Sequence, residues 1–125
     1  MRRSELWLAA LTGAAAMLSA SAAVAQMGDA AKGADVYDDR CSGCHVIGSV
    51  GQGPNLAGVV GRKAGAVAGF PYTAALKGSG LTWTPANLDR WLAGPQKVVP
   101  GTAMTVEVPS APERRELIAY LATLK

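Results

Sequence analysis

Apolar residues recur at helical spacing in three segments of this chain, and segments rich in glycine and proline separate them. The first predicted helix covers residues 29–40, where Asp29 suits the N-cap position. Gly33, Val36 and Tyr37 follow the i, i+3, i+4 spacing of a single helix face. This pattern predicts an amphipathic helix that begins the folded part of the chain.

The middle of the chain has weaker signals. Glycine and scattered proline over residues 47–69 predict little regular structure. A short helix is expected over residues 72–77, because glycines follow it. Thr84 and Pro85 suit the N-cap and the first position of the next helix, which Gly94 and the following proline end. The predicted buried face of that helix consists of Leu88, Trp91 and Leu92.

A further helical turn is expected over residues 96–99, and Ser110 with Glu113 predicts a capping box for the last helix. One side of that helix carries Leu117, Tyr120, Leu121 and Leu124. No segment gives a convincing strand signal, so the pattern predicts an all-α fold with few helices. Ordered loops of this length are unusual in a small domain unless they enclose a bound group.

The first 25 residues have the pattern of an export signal. Arg2 and Arg3 precede an alanine-rich apolar stretch over residues 6–18, and Ala23-Val24-Ala25 is an A-x-A site. We expect cleavage before Gln26, which leaves one domain over residues 26–125. The alternative is an uncleaved membrane anchor, because about 20 apolar residues span a bilayer.

The net charge of the chain gives no support for a nucleic-acid partner. The 125-residue chain has a net charge of +3, and removal of Arg2, Arg3 and Glu5 with the signal lowers it to +2. That charge is too weak to indicate a nucleic-acid-binding protein. A domain of this size also has a limited apolar core, which a large buried prosthetic group would extend.

The most informative motif is Cys41-Ser42-Gly43-Cys44-His45, which contains both cysteines and the single histidine of the chain. Two thiols three residues apart can each add to one vinyl group of a haem, and the adjacent imidazole can then bind the iron. C-x-x-C-H therefore predicts covalent attachment of a c-type haem. A structural zinc site would lack a fourth ligand. A thioredoxin-like pair would need a βαβ pattern, and a plain disulfide would give His45 no role.

Several further motifs occur in an order that resembles class I cytochromes c of the mitochondrial and alphaproteobacterial type. The resemblance covers nearly all of residues 28–124 and implies the class I cytochrome c fold around one covalent haem. The motifs are Gly-Pro-Asn-Leu (53–56), Gly-Arg-Lys-Ala-Gly (61–65), Gly-Phe-Pro-Tyr (69–72), Leu-Thr-Trp (81–83), Pro-Gly-Thr-Ala-Met (100–104) and Leu-Ile-Ala-Tyr-Leu (117–121).

The resemblance implies that Met104 is the second axial ligand of the iron, opposite His45. The inventory agrees with this, because outside the signal the only other methionine is Met27, near the expected mature terminus. His/Met ligation is typical of cytochromes c. The alternative is that Met104 is an ordinary core methionine.

Other roles follow from the same resemblance. The carbonyl of Pro54 would accept the second N–H of the axial histidine, and Thr102 would support the methionine side. The residues that match the family's partners of the haem propionates are Arg62, Tyr72 and Trp83. Trp83 could instead be only a core residue, and Arg62 an exposed loop cation. Gly33 and Tyr120 would mark the crossing of the first and last helices.

The chain also departs from the family pattern. Trp91 stands where a tyrosine is common, and its N–H can donate a hydrogen bond but cannot accept one. Val106 replaces an aromatic residue that often covers the haem, and Leu76 replaces an asparagine. Gln96 and Ala103 replace lysines at the haem edge. The remaining candidate cations for contact with a partner are Arg40, Lys63, Lys77 and Lys97, each of which could equally be a solvated surface charge.

These features together predict a soluble, monomeric electron carrier of the bacterial periplasm, with no catalytic residues. The resemblance implies a cytochrome bc1 complex or a periplasmic dehydrogenase as the donor, and a terminal oxidase or a nitrogen-oxide reductase as the acceptor. The alternative is a haem enzyme or gas-binding protein with an open iron site, which would require that Met104 does not bind the iron.

Overall fold

The computed structural model describes residues 28–125, so the predicted signal and Met27 lie outside the described residues. Within this range the chain forms five helices, and an isolated antiparallel bridge between Lys63 and Thr82 is its only β-type pairing. The prediction of an all-α fold is confirmed. The helices are α1 (Ala30–Arg40), α2 (Ala74–Lys77), α3 (Pro85–Ala93), α4 (Pro95–Val98) and α5 (Ala111–Thr123).

Helix α1 leads directly into the cysteine motif. Its N-terminus is capped by the Asp29 carboxylate, which accepts hydrogen bonds from the next backbone amides of the helix. At the other end, the Cys41 amide donates to the Tyr37 carbonyl at 2.8 Å. The His45 amide donates to the Cys41 carbonyl at 2.9 Å, so the motif continues the helix as a series of turns.

Helices α2 and α3 begin where a threonine hydroxyl can cap them. The Thr84 hydroxyl accepts from the Asn87 amide at 3.1 Å and Pro85 occupies the first helical position, as predicted. The Thr73 hydroxyl caps α2 in the same way, accepting from the Leu76 amide. Helix α2 therefore begins at Ala74 rather than at the predicted residue 72. Helix α4 begins one residue earlier than expected, at Pro95.

The capping box predicted for α5 is only half formed. The Ser110 hydroxyl accepts from the Glu113 amide at 3.4 Å, as predicted. The Glu113 carboxylate does not return to the Ser110 amide, because it pairs with Arg40 of α1 at 3.4 Å. Leu117 and Leu121 are buried, and Leu124 lies just beyond the end of the helix.

Helices α1 and α5 cross at the most extensive helix–helix contact of the fold. A Cβ atom on Gly33 would overlap the backbone carbonyl of Glu116 and would lie 2.8 Å from Tyr120 Cβ. Only glycine allows the two backbones this approach. Beside the crossing, the Tyr37 and Tyr120 rings pack with centroids 5.4 Å apart. The predicted crossing at Gly33 and Tyr120 is confirmed.

Backbone hydrogen bonds hold the long loop after the cysteine motif against the segment that precedes α3. The Trp83 amide donates to the Arg62 carbonyl at 2.8 Å, and the Gly61 amide donates to the Trp83 carbonyl at 2.9 Å. This pairing places Arg62 and Trp83 beside each other at the wall of a central cavity. Among residues 28–125, none of the helices has both the length and the apolar character needed to cross a bilayer.

Candidate functional site

A cavity of about 370 Å³ lies at the centre of the fold, between the cysteine motif and the loop that follows α4. Cys41, Cys44 and His45 line one part of it, and Met104 and Thr102 line another. Much of the remaining wall consists of the apolar side chains of Leu56, Val59, Leu88, Leu92, Leu117 and Leu121. The cavity thus brings together all four residues predicted to hold a haem and its iron.

Both cysteines are free thiols at the cavity wall. Burial raises the pKa of the Cys41 thiol to about 11, with a smaller lowering by Arg40 and a small further raising by Cys44. A neutral thiol does not suit a dithiol redox pair, which depends on a thiolate of low pKa. Among residues 28–125, no group of three or more His, Cys, Asp or Glu side chains is placed to hold a metal ion.

The imidazole of His45 is oriented by the loop that follows it. His45 Nδ1 lies 2.9 Å from the Pro54 carbonyl oxygen. Because a carbonyl can only accept, Nδ1 carries the proton and donates it, which leaves the Nε2 lone pair as the coordinating site. This is the contact that the family resemblance implied for Pro54.

Gly53 lies directly against the same imidazole, a contact that the sequence analysis did not predict. A Cβ atom there would lie 2.6 Å from His45 Nδ1 and 2.9 Å from Nε2, and would overlap Cε1. The Gly53 amide also donates to the Cys44 carbonyl at 2.8 Å. The glycine therefore lets the loop backbone cover the face of the imidazole. Its place beside Pro54 in the Gly-Pro-Asn-Leu motif is the only sequence signal for this role.

Tyr37 supports the backbone of His45. Its hydroxyl donates a 2.7 Å hydrogen bond to the His45 carbonyl, and its ring is buried against α5. Burial is the main cause that raises the pKa of this hydroxyl above its usual value near 10. Helical spacing predicted only that Tyr37 belongs to the face of α1, since the spacing contains no information about its hydroxyl.

A tight turn before Met104 and a backbone hydrogen bond after it position this residue. Gly101 has a φ of 89°, and the Thr102 amide donates to the Val99 carbonyl at 3.1 Å, which makes residues 99–102 a type II turn. Thr102 is buried, and Met104 is half-buried at the cavity wall. After Met104 the chain is held again at Val108, whose amide donates to the Leu92 carbonyl at 2.7 Å.

Trp83 and Trp91 are buried and line the cavity as well. The Trp83 and Trp91 ring centroids are 5.0 Å apart and their planes meet at 63°, an edge-to-face arrangement. Trp83 thus belongs to the apolar core and to the cavity wall at the same time. The two interpretations that the sequence left open for it are compatible.

Arg62 and Tyr72 line the cavity with part of their hydrogen-bonding capacity already used. The Arg62 guanidinium donates to the carbonyls of Asn55 at 2.8 Å and Ala57 at 3.0 Å. The Tyr72 hydroxyl accepts from the Val67 amide at 3.1 Å. Arg62 is therefore not an exposed loop cation. It keeps further N–H donors, and Tyr72 keeps its hydroxyl proton, for another acceptor.

Of the other residues that depart from the family pattern, some line the cavity and one does not. Leu76, Ala103 and Val106 line the cavity, and the Val106 side chain is also exposed to solvent. Gln96 does not line it, because its side-chain amide is hydrogen-bonded to the turn before Met104. Of the four candidate cations, Arg40 is paired with Glu113, and the side chains of Lys63, Lys77 and Lys97 are exposed.

These residues fit a covalently held haem. Two free thiols, an imidazole with a free Nε2 and a thioether line one cavity whose wall is mainly apolar. An arginine and a tyrosine with unused donors lie at the same wall and suit anionic propionate groups. Thioether linkage needs two thiols, and His/Met ligation of haem iron needs one imidazole and one thioether sulfur.

Comparisons with known proteins give matches over most of the chain. A sequence model of the family described as Cytochrome c matches residues 30–125. The chain is 47% identical to cytochrome c2 of Rhodomicrobium vannielii over 118 residues, which is 91% of this chain and 92% of that protein. It is 46% identical to cytochrome c of Tetrahymena pyriformis over 99 residues, covering 78% and 90% of the two chains. Among solved structures, cytochrome cH from Methylobacterium extorquens matches with a TM-score of 0.74 and 46% identity, covering 77% of this chain and 99% of that one.

Proposed function

Because this chain belongs to the cytochrome c family, whose members carry one covalently attached haem c, we propose that His45 and Met104 are the two axial ligands of its iron. The protein is an electron carrier and not an enzyme, as its relatives are. When bound, the haem supplies a one-electron Fe(III)/Fe(II) couple. The observation that supports the ligand assignment is that His45 and Met104 line the same cavity as both cysteine thiols.

Cys41 and Cys44 would hold the haem through two thioether bonds, each formed when a thiol S–H adds across a vinyl group. Both thiols belong to the turn that also carries His45, and the His45 amide is bonded to the Cys41 carbonyl within that turn. Covalent attachment at this turn therefore keeps the imidazole next to the prosthetic group. This arrangement reduces the entropy lost when the axial bond forms.

The contacts around His45 prepare its imidazole for an axial role. Donation from Nδ1 to the Pro54 carbonyl fixes the tautomer and makes Nε2 more basic. Gly53 limits rotation of the ring from one face, and Tyr37 holds the His45 backbone. An imidazole restrained in this way would change position little when an electron is gained or lost.

Met104 and the apolar wall would set the reduction potential. A thioether is a soft ligand that favours Fe(II), and methionine ligation raises the potential of cytochromes c. An apolar wall also disfavours the additional positive charge of the oxidised centre. Both effects favour a carrier that accepts electrons readily.

We assign Arg62, Tyr72 and Trp83 to the haem propionates, with Trp91 and Thr102 near the methionine side. The support for Arg62 and Tyr72 is their unused donors at the cavity wall. The Arg62 guanidinium would pair with an anionic propionate through charge-assisted hydrogen bonds.

The redox partners that we propose are a cytochrome bc1 complex or a periplasmic dehydrogenase as donor and a terminal oxidase or reductase as acceptor. The exposed lysines Lys63, Lys77 and Lys97 are the candidate contacts with them. The predicted signal over residues 1–25 supports a periplasmic location, and the bacterial cytochrome c2 among the relatives is consistent with it.

The test of the ligand assignment is the visible spectrum of the ferric holoprotein, matured in a host with c-type haem assembly. Methionine ligation gives a weak band at the red end of the spectrum. We expect this band in the wild type and in the control Val106→Ala, and its loss in Met104→Ala. Carbon monoxide should bind the reduced Met104→Ala protein but not the wild type. A wild type that lacks the band and binds carbon monoxide would instead support a gas-binding or enzymatic haem protein.

A further inference from the structure

The side chain of Gln96 is hydrogen-bonded to two backbone groups of the turn that precedes Met104. The turn bond joins the Thr102 amide to the Val99 carbonyl. The Gly101 amide and the Thr102 carbonyl take no part in this bond, and the Gln96 side chain bonds both of them. Its Oε1 accepts from the Gly101 amide at 3.2 Å, and its Nε2 donates to the Thr102 carbonyl at 2.5 Å.

The segment after this turn has little other support. Among residues 28–125, no hydrogen bond involves residues 103–107, and all of them except Met104 are exposed. The next backbone anchor is the bond from the Val108 amide to the Leu92 carbonyl. Arg114 reinforces that second anchor by donating to the carbonyls of Val108 and Pro109 at 3.0 and 2.8 Å. Met104 therefore lies between two supported points, the turn that Gln96 bonds and the backbone bond at Val108.

We propose that Gln96 is a positioning residue that holds Met104 in place by clamping the turn before it. The proposal rests on the proposed function, in which Met104 binds the iron. The Gly101 amide needs a hydrogen-bond acceptor, and the Thr102 carbonyl needs a donor. A carboxamide supplies both, because Oε1 accepts from the amide and Nε2 donates to the carbonyl. A lysine, which carries donors only, could bond the Thr102 carbonyl but not the Gly101 amide.

The clamp controls how readily Met104 leaves the iron. An exogenous ligand such as imidazole can bind the ferric iron only when Met104 has moved away. A turn that is released from Gln96 lets the methionine leave more easily, so the apparent affinity for imidazole rises. The two hydrogen bonds of Gln96 together contribute about 1.4 kcal/mol, which is a factor of ten. Their loss should therefore raise the apparent affinity for imidazole roughly tenfold.

The experiment uses four variants of the ferric holoprotein. Gln96→Ala removes both bonds, Gln96→Lys keeps only a donor, and Gln96→Glu keeps only acceptors. Lys97→Ala is the control, because this neighbour on α4 has a side chain without hydrogen bonds among residues 28–125. Imidazole titration followed at the red-end band gives the affinity, and hydrogen exchange of the Gly101 amide reports the clamp directly.

We expect imidazole to bind about tenfold more tightly to Gln96→Ala, with smaller increases for Gln96→Lys and Gln96→Glu, and no change for Lys97→Ala. Exchange of the Gly101 amide should accelerate in Gln96→Ala and Gln96→Lys, which lack an acceptor, but less in Gln96→Glu. Unchanged imidazole affinity in Gln96→Ala, with faster Gly101 exchange, would overturn the proposal. A wild type without the red-end band would instead overturn the ligand assignment of Met104, while the exchange data would still report the hydrogen bond.

Discussion

Replacement of Gly53 by alanine tests whether the loop backbone positions the axial imidazole. The added Cβ would lie 2.6 Å from His45 Nδ1 and 2.9 Å from Nε2, with overlap at Cε1. Because non-bonded atoms settle near about 3.5–4.0 Å, the ring must move by roughly 1 Å. A movement of that size stretches the 2.9 Å bond between His45 Nδ1 and the Pro54 carbonyl beyond hydrogen-bonding range.

The energetic cost of Gly53→Ala has two parts. The lost hydrogen bond contributes about 1 kcal/mol, and overpacking contributes about 1–3 kcal/mol. We therefore expect the free energy of unfolding to fall by about 2–4 kcal/mol. For a domain of this size each kcal/mol lowers Tm by about 4–8 °C, so the decrease in Tm should exceed about 8 °C.

The assay is guanidinium unfolding of the holoprotein, followed by circular dichroism, with the visible spectrum as a second readout. Gly43→Ala is the matched control, because it lies in the motif that contains His45 and a Cβ there meets no atom within 4 Å. Gly43→Ala should retain the stability and the spectrum of the wild type. If Gly53→Ala were as stable as this control and had the same spectrum, Gly53 would have no role in positioning the imidazole.

Two further predictions concern the support of the site by α1. Gly33→Ala should lower the free energy of unfolding by about 3 kcal/mol, because its Cβ would overlap the Glu116 backbone, which cannot move as a side chain can; guanidinium unfolding beside Gly43→Ala measures this. Tyr37→Phe should cost about 1 kcal/mol through loss of its hydrogen bond to the His45 carbonyl. Because the pKa of Tyr37 is raised on folding, folding favours the neutral hydroxyl, so wild-type stability should begin to decline as the pH rises above about 10, and this part of the decline should be absent from Tyr37→Phe. Identical pH profiles for the two proteins would contradict the role of the buried hydroxyl.

Sequence reasoning succeeded where the signal is local. The caps at Asp29 and Thr84 depend on residues within one turn, and both form as expected. It failed where a distant residue competes. Glu113 was expected to complete a capping box, but its carboxylate pairs with Arg40, which is 73 positions away in the chain.

In the candidate site, too, local signals were predicted from the sequence and contacts between distant segments were not. The C-x-x-C-H motif indicates the chemistry because five adjacent residues carry it. The contact of Gly53 with the imidazole and the hydrogen bond of Tyr37 to His45 depend on how separate segments approach each other, which spacing does not encode. From the sequence, Gln96 was interpreted only as a replacement of a lysine in the family pattern. Its hydrogen bonds could not be predicted, because the turn that its side chain bonds exists only in the folded chain.

X-ray absorption at the iron edge of the ferric holoprotein tests the proposed ligation most directly. We expect one sulfur scatterer bound to iron in the wild type, absent from Met104→Ala, with five nitrogen scatterers from the porphyrin and His45 in both. A wild-type spectrum with only nitrogen or oxygen neighbours would contradict the assignment of Met104.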